Sequence, residues 1–194
     1  KKMPKIDLDL FKKYENLLLK WQKAVNLVSP NTLNNLTQRH FLDSAQLAKH
    51  IPHNAKIVDL GSGAGFPGMV LSIMGFDVSL VESDSKKCTF LKEIARHYNL
   101  STPIYNVRIE NFTEENPNIK FDIATARALT DITHLIEYAL PLLKNNGQCF
   151  FLKGEKWEEE VKNAQTKYMF HVEHIQSETD SKAKILILSD IKNY

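Results

Sequence analysis

The stretch that decides the fold is residues 57–68, which read IVDLGSGAGFPG. An apolar run carries one acid, Asp59, and four closely spaced glycines follow: Gly61, Gly63, Gly65 and Gly68. A short buried strand, a glycine-rich turn and a helix, in this order, form the loop with which many α/β proteins bind a nucleotide-like ligand. Pro67 suits the first turn of that helix. The stretch therefore predicts a binding loop at the carboxyl end of a strand, although several ligands use such a loop.

Short apolar runs that alternate with helical patterns continue beyond this loop. We predict five strands separated by helices, at 56–61, 77–82, 103–107, 121–126 and 148–154. Such alternation is typical of right-handed βαβ units and a parallel sheet. Two further runs, 171–176 and 183–190, flank a short polar turn and predict an antiparallel hairpin at one edge. The expected fold is α/β and Rossmann-like, with a mostly parallel seven-stranded sheet and an antiparallel edge strand.

The N-terminal quarter of the chain has helical periodicity instead. Large apolar residues recur there at steps of three and four: Leu10, Phe11, Tyr14, Leu17, Leu18, Trp21 and Val25. They predict a helix of about five turns that ends at the breaker Ser29-Pro30. A second helix is expected over 41–50. We expect residues 1–52 to form a helical extension packed on a core of residues 53–194, in a single domain overall.

Local signals set the boundaries of the remaining helices. Ser85 is predicted to cap the helix that follows the second strand. A helix is expected over 131–143, after which Gly147 leads into the fifth strand, and a polar helix is expected over 155–167.

Composition and charge exclude several classes of protein. Of the 194 residues, 43% are hydrophobic and 25% are charged, which is typical of a globular protein with a substantial core. No apolar run approaches the roughly 18 residues of a membrane span, so no membrane partner is expected. The formal net charge of +2 indicates no strong field for nucleic acid, and any such contact has to come from local patches.

The two cysteines, Cys88 and Cys149, are too few for a disulfide framework or a cysteine-rich zinc site. Three histidines also lack ligand spacing with other metal donors: His134, His171 and His174. We therefore expect reduced thiols, no bound metal and a cytoplasmic location. The absence of an obvious exposed apolar stripe predicts a monomer.

The spacing of the loop favours S-adenosylmethionine over a dinucleotide. A dinucleotide loop has its third glycine three residues after the second, where the bulky Phe66 stands in this chain. Asp59 places a carboxylate near the loop, which would repel a phosphate and suit the ammonium group of a methionine moiety. Glu82 ends the second strand, where a carboxylate accepts hydrogen bonds from both ribose hydroxyls of an adenosyl group. We therefore predict an S-adenosylmethionine site with S-adenosylhomocysteine as the product.

Two large classes of methyl acceptor are disfavoured by what the sequence lacks. Enzymes that methylate exocyclic amines of bases carry a motif of the type [DNS]-P-P-[YFW] after the fourth strand, where this chain reads ATARAL. Carbon-5 pyrimidine enzymes need a thiolate, and Cys88 and Cys149 lie inside a predicted helix and strand. Guanine N7 has its own lone pair at neutral pH. It therefore needs only placement against the methyl group.

Several segments together resemble those of the bacterial 16S ribosomal RNA guanine-N7 methyltransferases, also called glucose-inhibited division protein B. They occur in the family's order: WQKAVNLVS (21–29), QRHFLDS (38–44), DLGSGAGFPG (59–68), SKKCTFL (85–91), VRIENF (107–112), ARAL (126–129) and LKGE (152–155). The glycine loop together with RHFLDS is specific to this family. The resemblance implies a class I methyltransferase fold, transfer of a methyl group to N7 of a guanine, and 16S ribosomal RNA or the 30S particle as partner.

The resemblance also implies roles for individual residues of the cofactor site. Gly61 and Phe66 would touch the cofactor, while Gly63 and Gly65 shape the turn. Ile109 and Glu110 would lie against the adenine. Arg127, after the fourth strand, would reach the place where cofactor and target meet and would position them, with no general base required.

The family's RNA-facing residues fall mainly in its upstream segment. Arg39 and His40, with Asp43 and Ser44, would lie where the N-terminal helices cover the fold. Lys153 would face the same mouth. We predict RNA contacts for four residues: Arg39, His40, Lys87 and Lys153. The chain departs from the family at Val28 and Ala126, where threonine and serine are usual, and this leaves those two roles open.

Two other functions remain compatible with the sequence. One is a class I methyltransferase that acts on a small molecule or a protein. The other is an NAD(P)-dependent oxidoreductase, which would require a catalytic Tyr-Lys or His pair near the cleft. A non-catalytic module that binds S-adenosylmethionine is a third, less favoured possibility.

Overall fold

A computed structural model describes residues 6–194, so the first five residues of the predicted extension lie outside the described part of the chain. One sheet of seven strands forms the centre. The strands are β1 (Lys56–Leu60), β2 (Asp77–Glu82), β3 (Ile104–Asn106), β4 (Phe121–Arg127), β5 (Leu143–Lys153), β6 (Tyr168–Gln176) and β7 (Lys184–Asn193). The α-helices are α1 (Lys12–Gln22), α2 (Asp43–Ala45), α3 (Gly68–Ile73), α4 (Ser85–His97), α5 (Ile109–Glu115), α6 (Ile132–Ala139) and α7 (Trp157–Ala164).

The strand order is β3-β2-β1-β4-β5-β7-β6. The first five strands are parallel to one another, whereas β7 pairs antiparallel with both β5 and β6. This confirms the Rossmann-like α/β prediction and the closing hairpin. The antiparallel strand is β7, which lies one place in from the edge, because the hairpin inserts its second strand next to β5. The strand order reverses between β1 and β4, and ligands of open α/β sheets bind in the crevice at that point.

The fifth strand is longer than predicted, and the helix before it is shorter. Helix α6 ends at Ala139, and a 3₁₀ turn over Leu140–Leu142 follows. Pro141 lies in that turn and has no N–H with which to continue an α-helix. Strand β5 therefore begins at Leu143 instead of 148, and its pairing with β4 shifts register between Phe121 and Ile123.

The predicted cap of α4 is wrong by one residue. Asp84, not Ser85, is the N-cap: its Oδ1 accepts hydrogen bonds from the backbone N–H groups of Lys86 (2.9 Å) and Lys87 (3.0 Å). Asp84 has the extended backbone that a cap requires, whereas Ser85 is already the first helical residue. The backbone N–H of Lys87 is the main cause that lowers the pKa of Asp84.

The N-terminal helical cap (residues 8–50) is more broken than the periodicity predicts. A 3₁₀ turn over Leu8–Phe11 precedes α1, further 3₁₀ turns cover Pro30–Asn35 and Gln46–His50, and a π-helical turn covers Thr37–Leu42. The side chain of Gln22 ends the first helix. Its Oε1 accepts from the N–H groups of Leu27 (3.0 Å) and Val28 (3.1 Å), which have left the helical path.

Tyr14 of α1 joins this cap to the glycine loop. Its ring is fully buried and stacks on Phe66 with 5.4 Å between ring centroids. Its hydroxyl donates a hydrogen bond to the carbonyl of Ala64 inside the loop. Phe41 packs edge-on against both rings, at 5.0 Å from Tyr14 and 5.4 Å from Phe66. The cap and the loop therefore share one aromatic cluster.

We predict that Tyr14→Phe lowers the free energy of unfolding by about 1–2 kcal/mol, because it leaves the buried Ala64 carbonyl without its donor. Urea denaturation measures this change. Tyr105→Phe is the matched control, since no residue of 6–194 accepts a hydrogen bond from the Tyr105 hydroxyl. Equal stabilities of the two variants would contradict the assignment.

Candidate active site

The glycine loop after β1 holds backbone conformations that other residues rarely adopt. Gly61 has φ +64° and Gly65 has φ +102°, both in the left-handed region. A Cβ on Gly65 would also lie 2.7 Å from Cβ of Met69 and would overlap the Tyr14 hydroxyl. The N–H of Gly65 closes a turn onto the carbonyl of Ser62 at 2.8 Å. The glycine at 65 is therefore required by the close approach of the cap as well as by the turn.

Asp59 lies beneath this loop, and its environment differs from the one predicted. Its side chain is fully buried; Oδ1 accepts from the Thr125 hydroxyl at 2.7 Å and Oδ2 accepts from the N–H of Gly68 at 3.2 Å. Burial raises the pKa of Asp59 to about 6. A Cβ on Gly68 would lie 2.5 Å from Asp59 Oδ2. Asp59 thus ties β1 to β4 and to the start of α3, and its carboxylate is buried beneath the loop and does not line the cleft.

Glu82 ends β2 beside the loop, as the sequence predicts. Its Oε1 accepts from the N–H of Gly63 at 2.8 Å, and its Oε2 accepts from the N–H of Asp84 at 2.7 Å. The side chain is 8% exposed and lines the cleft above the strand ends. A carboxylate oxygen has two lone pairs, so each oxygen keeps one acceptor site for a ligand hydroxyl. Glu82 therefore holds the loop in place and still presents acceptors to the cleft.

The main cleft runs across the carboxyl ends of β2, β1 and β4. At one end, a cavity of about 120 Å³ is lined by Gly61, Glu82, Ile109 and Glu110, among others. A second part of the groove shares Gly61, Glu82 and Leu129 and extends past Phe66 to Arg127. Ile109 and Glu110 form the start of α5. Most of the predicted cofactor residues therefore meet in one groove; Asp59 and Gly65 do not line it.

Arg127 stands where the main cleft meets the N-terminal cap. Its NH1 donates to the carboxylate of Asp43 and to the carbonyl of Arg39, both at 3.2 Å, and its NH2 approaches Nδ1 of His40 at 2.8 Å. The guanidinium lies 5.0 Å from the centroid of the Phe66 ring. Burial lowers the pKa of Arg127 and the carboxylate of Asp43 opposes that shift. The side chain is thus fixed in one orientation on four sides.

His40 orients Arg127 instead of presenting itself to solvent. It is 7% exposed, its ring stacks on Phe66 at 4.9 Å, and its Nε2 lies 2.8 Å from the Thr32 hydroxyl. Burial, followed by the charge of Arg127, lowers the pKa of His40 to about 3. The imidazole is therefore neutral near pH 7, so Nδ1 accepts from Arg127 and Nε2–H donates to Thr32. The predicted RNA contact by this side chain does not fit its buried position.

The other three predicted RNA contacts differ in their exposure. Arg39 is exposed, and its guanidinium makes no hydrogen bond to any residue of 6–194. Lys87 is half-buried at the start of α4 and lines the main cleft. Lys153 is 8% exposed; its Nζ donates to the Thr130 carbonyl at 2.9 Å and lies 2.8 Å from Glu160. Arg39 and Lys87 therefore stand at rims, whereas the charge of Lys153 is already paired.

A second cleft opens on the other side of Arg127. It lies between the cap, the carboxyl ends of β4 and β5, and the β6–β7 turn (residues 177–183). Arg127 and Ala128 line both clefts. Sequence reasoning predicted this turn but not its place at the cleft, because contacts such as Gln46–Ser177 and Asp43–Thr179 join residues 131 and 136 positions apart. It missed Tyr14 as a loop partner for the same reason.

Neither thiol is a nucleophile candidate, as predicted. Cys88 and Cys149 are both buried. Burial raises the pKa of Cys88 to about 11 and raises the pKa of Cys149 still further above its ordinary value. Within residues 6–194 no group of three or more His, Cys, Asp or Glu side chains is placed to hold a metal ion. No helix in the same range has the length and apolar character needed to cross a membrane.

Comparison with known proteins extends the resemblance to nearly the whole chain. A family model described as GidB, rRNA small subunit methyltransferase G, matches residues 7–186. A relative from Paramagnetospirillum magneticum named ribosomal RNA small subunit methyltransferase G is 42% identical over 95% of this chain and 89% of its own. A relative of the same name from Gluconobacter oxydans is 43% identical over 93% of this chain and 92% of its own.

Solved structures share the fold at much lower identity. The fibrillarin/Nop5p complex matches with a TM-score of 0.61 and 14% identity, over 78% of this chain and 81% of that one. A ribosomal protein L11 methylase from Lactobacillus delbrueckii subsp. bulgaricus matches with a TM-score of 0.58 and 15% identity, over 78% and 76%. These likenesses confirm the class I methyltransferase fold and carry no argument about substrate. The family model and the relatives above 40% identity decide the assignment: the chain belongs to the GidB family of rRNA small subunit methyltransferases G.

Proposed function

We propose that this chain transfers a methyl group from S-adenosylmethionine to N7 of a guanine in 16S ribosomal RNA. One observation supports this most directly: Gly61, Glu82 and Ile109 line a groove that ends at a fixed arginine, Arg127. The family places the chain among methyltransferases of the small-subunit RNA. The family match also favours RNA over a small molecule or a protein as the methyl acceptor, and it disfavours an oxidoreductase. We expect the enzyme to act as a monomer in the cytoplasm.

The main cleft suits an adenosyl group at one end and a methionine moiety at the other. The adenine would lie against Ile109 and Glu110, where an apolar side chain and a carboxylate stand side by side. The ribose hydroxyls would donate to the remaining lone pairs of Glu82. The methionine part would follow the glycine loop past Gly63 toward Arg127. Asp59 supports this arrangement from below, by holding the loop, and not by direct contact.

The reaction requires the protein to orient the two reactants and does not require it to transfer a proton. S-adenosylmethionine supplies an electrophilic methyl group, and the N7 lone pair of guanine forms the new bond as the bond to sulfur breaks. N7 carries no proton near pH 7, so no general base is needed. His40, the histidine beside Arg127, is accordingly not free to act as a base, because its two ring nitrogens are hydrogen-bonded to Arg127 and Thr32. Orientation of the two reactants then supplies most of the rate.

Arg127 is the residue that we propose positions the reactants. It lies between the two clefts, and its direction is fixed by Asp43, His40 and Phe66. N7 methylation gives the base a positive charge, so a bare cation beside the base would disfavour the product. The carboxylate of Asp43 at 3.2 Å offsets the charge of Arg127. The arginine can therefore donate hydrogen bonds with little net repulsion of the methylated base.

The direct test uses labelled S-adenosylmethionine and two RNA substrates from cells that lack the endogenous enzyme. These are 30S particles and naked 16S RNA. We expect label in 16S RNA, and chain cleavage at N7-methylguanine should map it to one guanine. If cofactor binding is demonstrated and neither substrate is labelled, the proposed function is wrong. The ratio of the two rates shows which substrate the enzyme prefers.

We predict that Glu82→Gln weakens S-adenosylhomocysteine binding by about 1–3 kcal/mol, the range for losing hydrogen bonds to a charged group. Titration calorimetry measures the affinity. Glu93→Gln serves as the control, because Glu93 pairs with Arg96 on the surface of α4, away from the cleft. An affinity for Glu82→Gln that matches the control would show that the ribose lies elsewhere.

We predict that Arg127→Lys lowers kcat/KM for RNA methylation by roughly 10- to 100-fold, because an ammonium cannot reproduce the planar fork that Asp43 and His40 orient. Arg96→Lys, a surface change, should leave kcat/KM within about twofold of the wild type. Thermal unfolding of both variants checks that the fold is intact. Full activity of Arg127→Lys would remove this arginine from the positioning role.

A further inference from the structure

The second cleft has walls from three separate parts of the chain. One wall is the cap, another is the ends of β4 and β5, and the third is the β6–β7 turn. Its volume is about 280 Å³, and it meets the main cleft at Arg127 and Ala128. A ligand in the second cleft would therefore touch the end of the main cleft where we place the reactive methyl group.

Asp43 sets the distance between Arg127 and the β6–β7 turn. One of its oxygens, Oδ2, accepts from Arg127 at 3.2 Å, and the other, Oδ1, accepts from the Thr179 hydroxyl at 2.8 Å. Gln38 donates to the Thr179 carbonyl at 3.3 Å and Gln46 donates to the Ser177 hydroxyl at 3.2 Å. The turn is therefore tied to the cap at several points. These hydrogen bonds fix the position of the turn relative to Arg127.

Asp180 follows Thr179 on this turn and also lines the second cleft. Its Oδ1 accepts from the backbone N–H of Lys182 at 2.9 Å, which fixes the direction of the carboxylate. Its other oxygen makes no hydrogen bond to any residue of 6–194. The carboxylate of Asp43, by contrast, has both oxygens engaged. Asp180 is thus the carboxylate on this wall that has an oxygen available to a ligand.

We propose that the second cleft receives the guanine base and that the carboxylate of Asp180 accepts hydrogen bonds from its N1–H and N2–H groups. The inference rests on the proposed function and adds the means of base recognition. N7 and the N1/N2 edge lie on opposite sides of a purine. When N7 faces the boundary at Arg127 and Ala128, the N1/N2 edge points away from that boundary into the second cleft, which Asp180 also lines.

A carboxylate at this position selects guanine over the other bases. Adenine has no N2 amine, and its N1 is an acceptor. An adenine in the cleft would therefore give Asp180 no hydrogen-bond donor, and the N1 lone pair would face the negatively charged carboxylate. A site built to bind a donor rejects analogues that lack it far more strongly than an apolar pocket rejects a change of size. Enzymes that act on an extruded base read its Watson–Crick edge in this manner. The exposed Arg39 at the rim of the same cleft would contact a phosphate of the RNA backbone.

The first test compares Asp180→Asn with Glu178→Gln in the 30S methylation assay. The amide at 180 still accepts from the Lys182 N–H but presents an NH₂ group, or a single neutral oxygen, to the base. We expect kcat/KM for RNA to fall by about 10- to 100-fold, the scale for charge-assisted hydrogen bonds, with affinity for S-adenosylhomocysteine changed less than twofold. Glu178→Gln removes the same charge from the same turn, where Glu178 pairs with Lys49 outside the cleft. It should stay within about threefold of the wild type.

The second test measures base recognition directly with guanosine and inosine 5′-monophosphates as probes. Inosine lacks the N2 amine and is otherwise the same purine. With S-adenosylhomocysteine bound, the wild type should bind the guanosine nucleotide about 5- to 10-fold more tightly by ligand-observed NMR titration, the scale of one lost hydrogen bond. Asp180→Asn should bind both nucleotides equally. Glu178→Gln should keep the wild-type preference.

The outcomes separate this inference from the proposed function. If the wild type does not methylate 16S RNA, the proposed function itself fails. If the wild type is active and Asp180→Asn matches it, or if Glu178→Gln loses as much activity, the assignment of Asp180 is overturned. A wild type that binds neither nucleotide, or does not distinguish them, also overturns it. Loss of activity together with loss of the guanosine preference, in Asp180→Asn alone, supports it.

Discussion

The buried carboxylate of Asp59 is the interaction on which the geometry of both clefts depends. It accepts from Thr125 on β4 and from Gly68 at the start of α3, while its own backbone belongs to β1. Hydrogen bonds to a carboxylate are strong in a medium of low dielectric constant, and they are costly to lose there. These bonds fix where the glycine loop leaves β1. They also fix β4 two residues before Arg127, so the loop and the arginine cannot move independently.

A single aromatic cluster connects the glycine loop to the cap. Phe66, in the glycine loop, contacts Tyr14, Phe41 and His40 of the cap, and the guanidinium of Arg127 lies over its ring. The bulky residue that argues against a dinucleotide in the sequence thus has a positive role in the structure. It joins the main cleft to the segment RHFLDS. The cap therefore forms part of the candidate active site, and is not only an addition to a Rossmann-like core.

The sequence predicts the core elements well because their signals are local. The run 57–60 with its glycines, the alternating strands and helices, and the polar turn before β7 all depend on neighbours within a few residues. Errors occur at helix ends. Asp84 caps α4 in place of the neighbouring Ser85, and Pro141 ends α6 earlier than predicted. Glu82 was placed at the cleft because it ends the second strand, and Ile109 was placed there by the family resemblance; both residues line the cleft.

Side-chain roles that depend on distant partners could not be derived in the same way. Asp59 was expected to face a ligand, but Thr125 is 66 residues away in sequence and redirects it. Lys153 lines the second cleft together with Arg39 and His40, but its ammonium group is already bound by Glu160 and the Thr130 carbonyl, two partners that the sequence does not reveal. The hydrogen bond from Tyr14 to the Ala64 carbonyl, and those between the β6–β7 turn and the cap, likewise join residues from separate elements. Their partners follow from packing, which a single sequence does not specify.

The neutrality of His40 has a consequence for how the protein meets a polyanion. A histidine next to an arginine would ordinarily gain a second positive charge as the surroundings acidify, and attraction to phosphates would rise with it. Here the imidazole accepts from Arg127 and its pKa lies near 3, so it stays uncharged throughout the physiological range. The number of cations at the junction of the two clefts is therefore constant. Attraction of a polyanion to this face would depend on the salt concentration through exposed groups such as Arg39, and it would be insensitive to the protonation of His40.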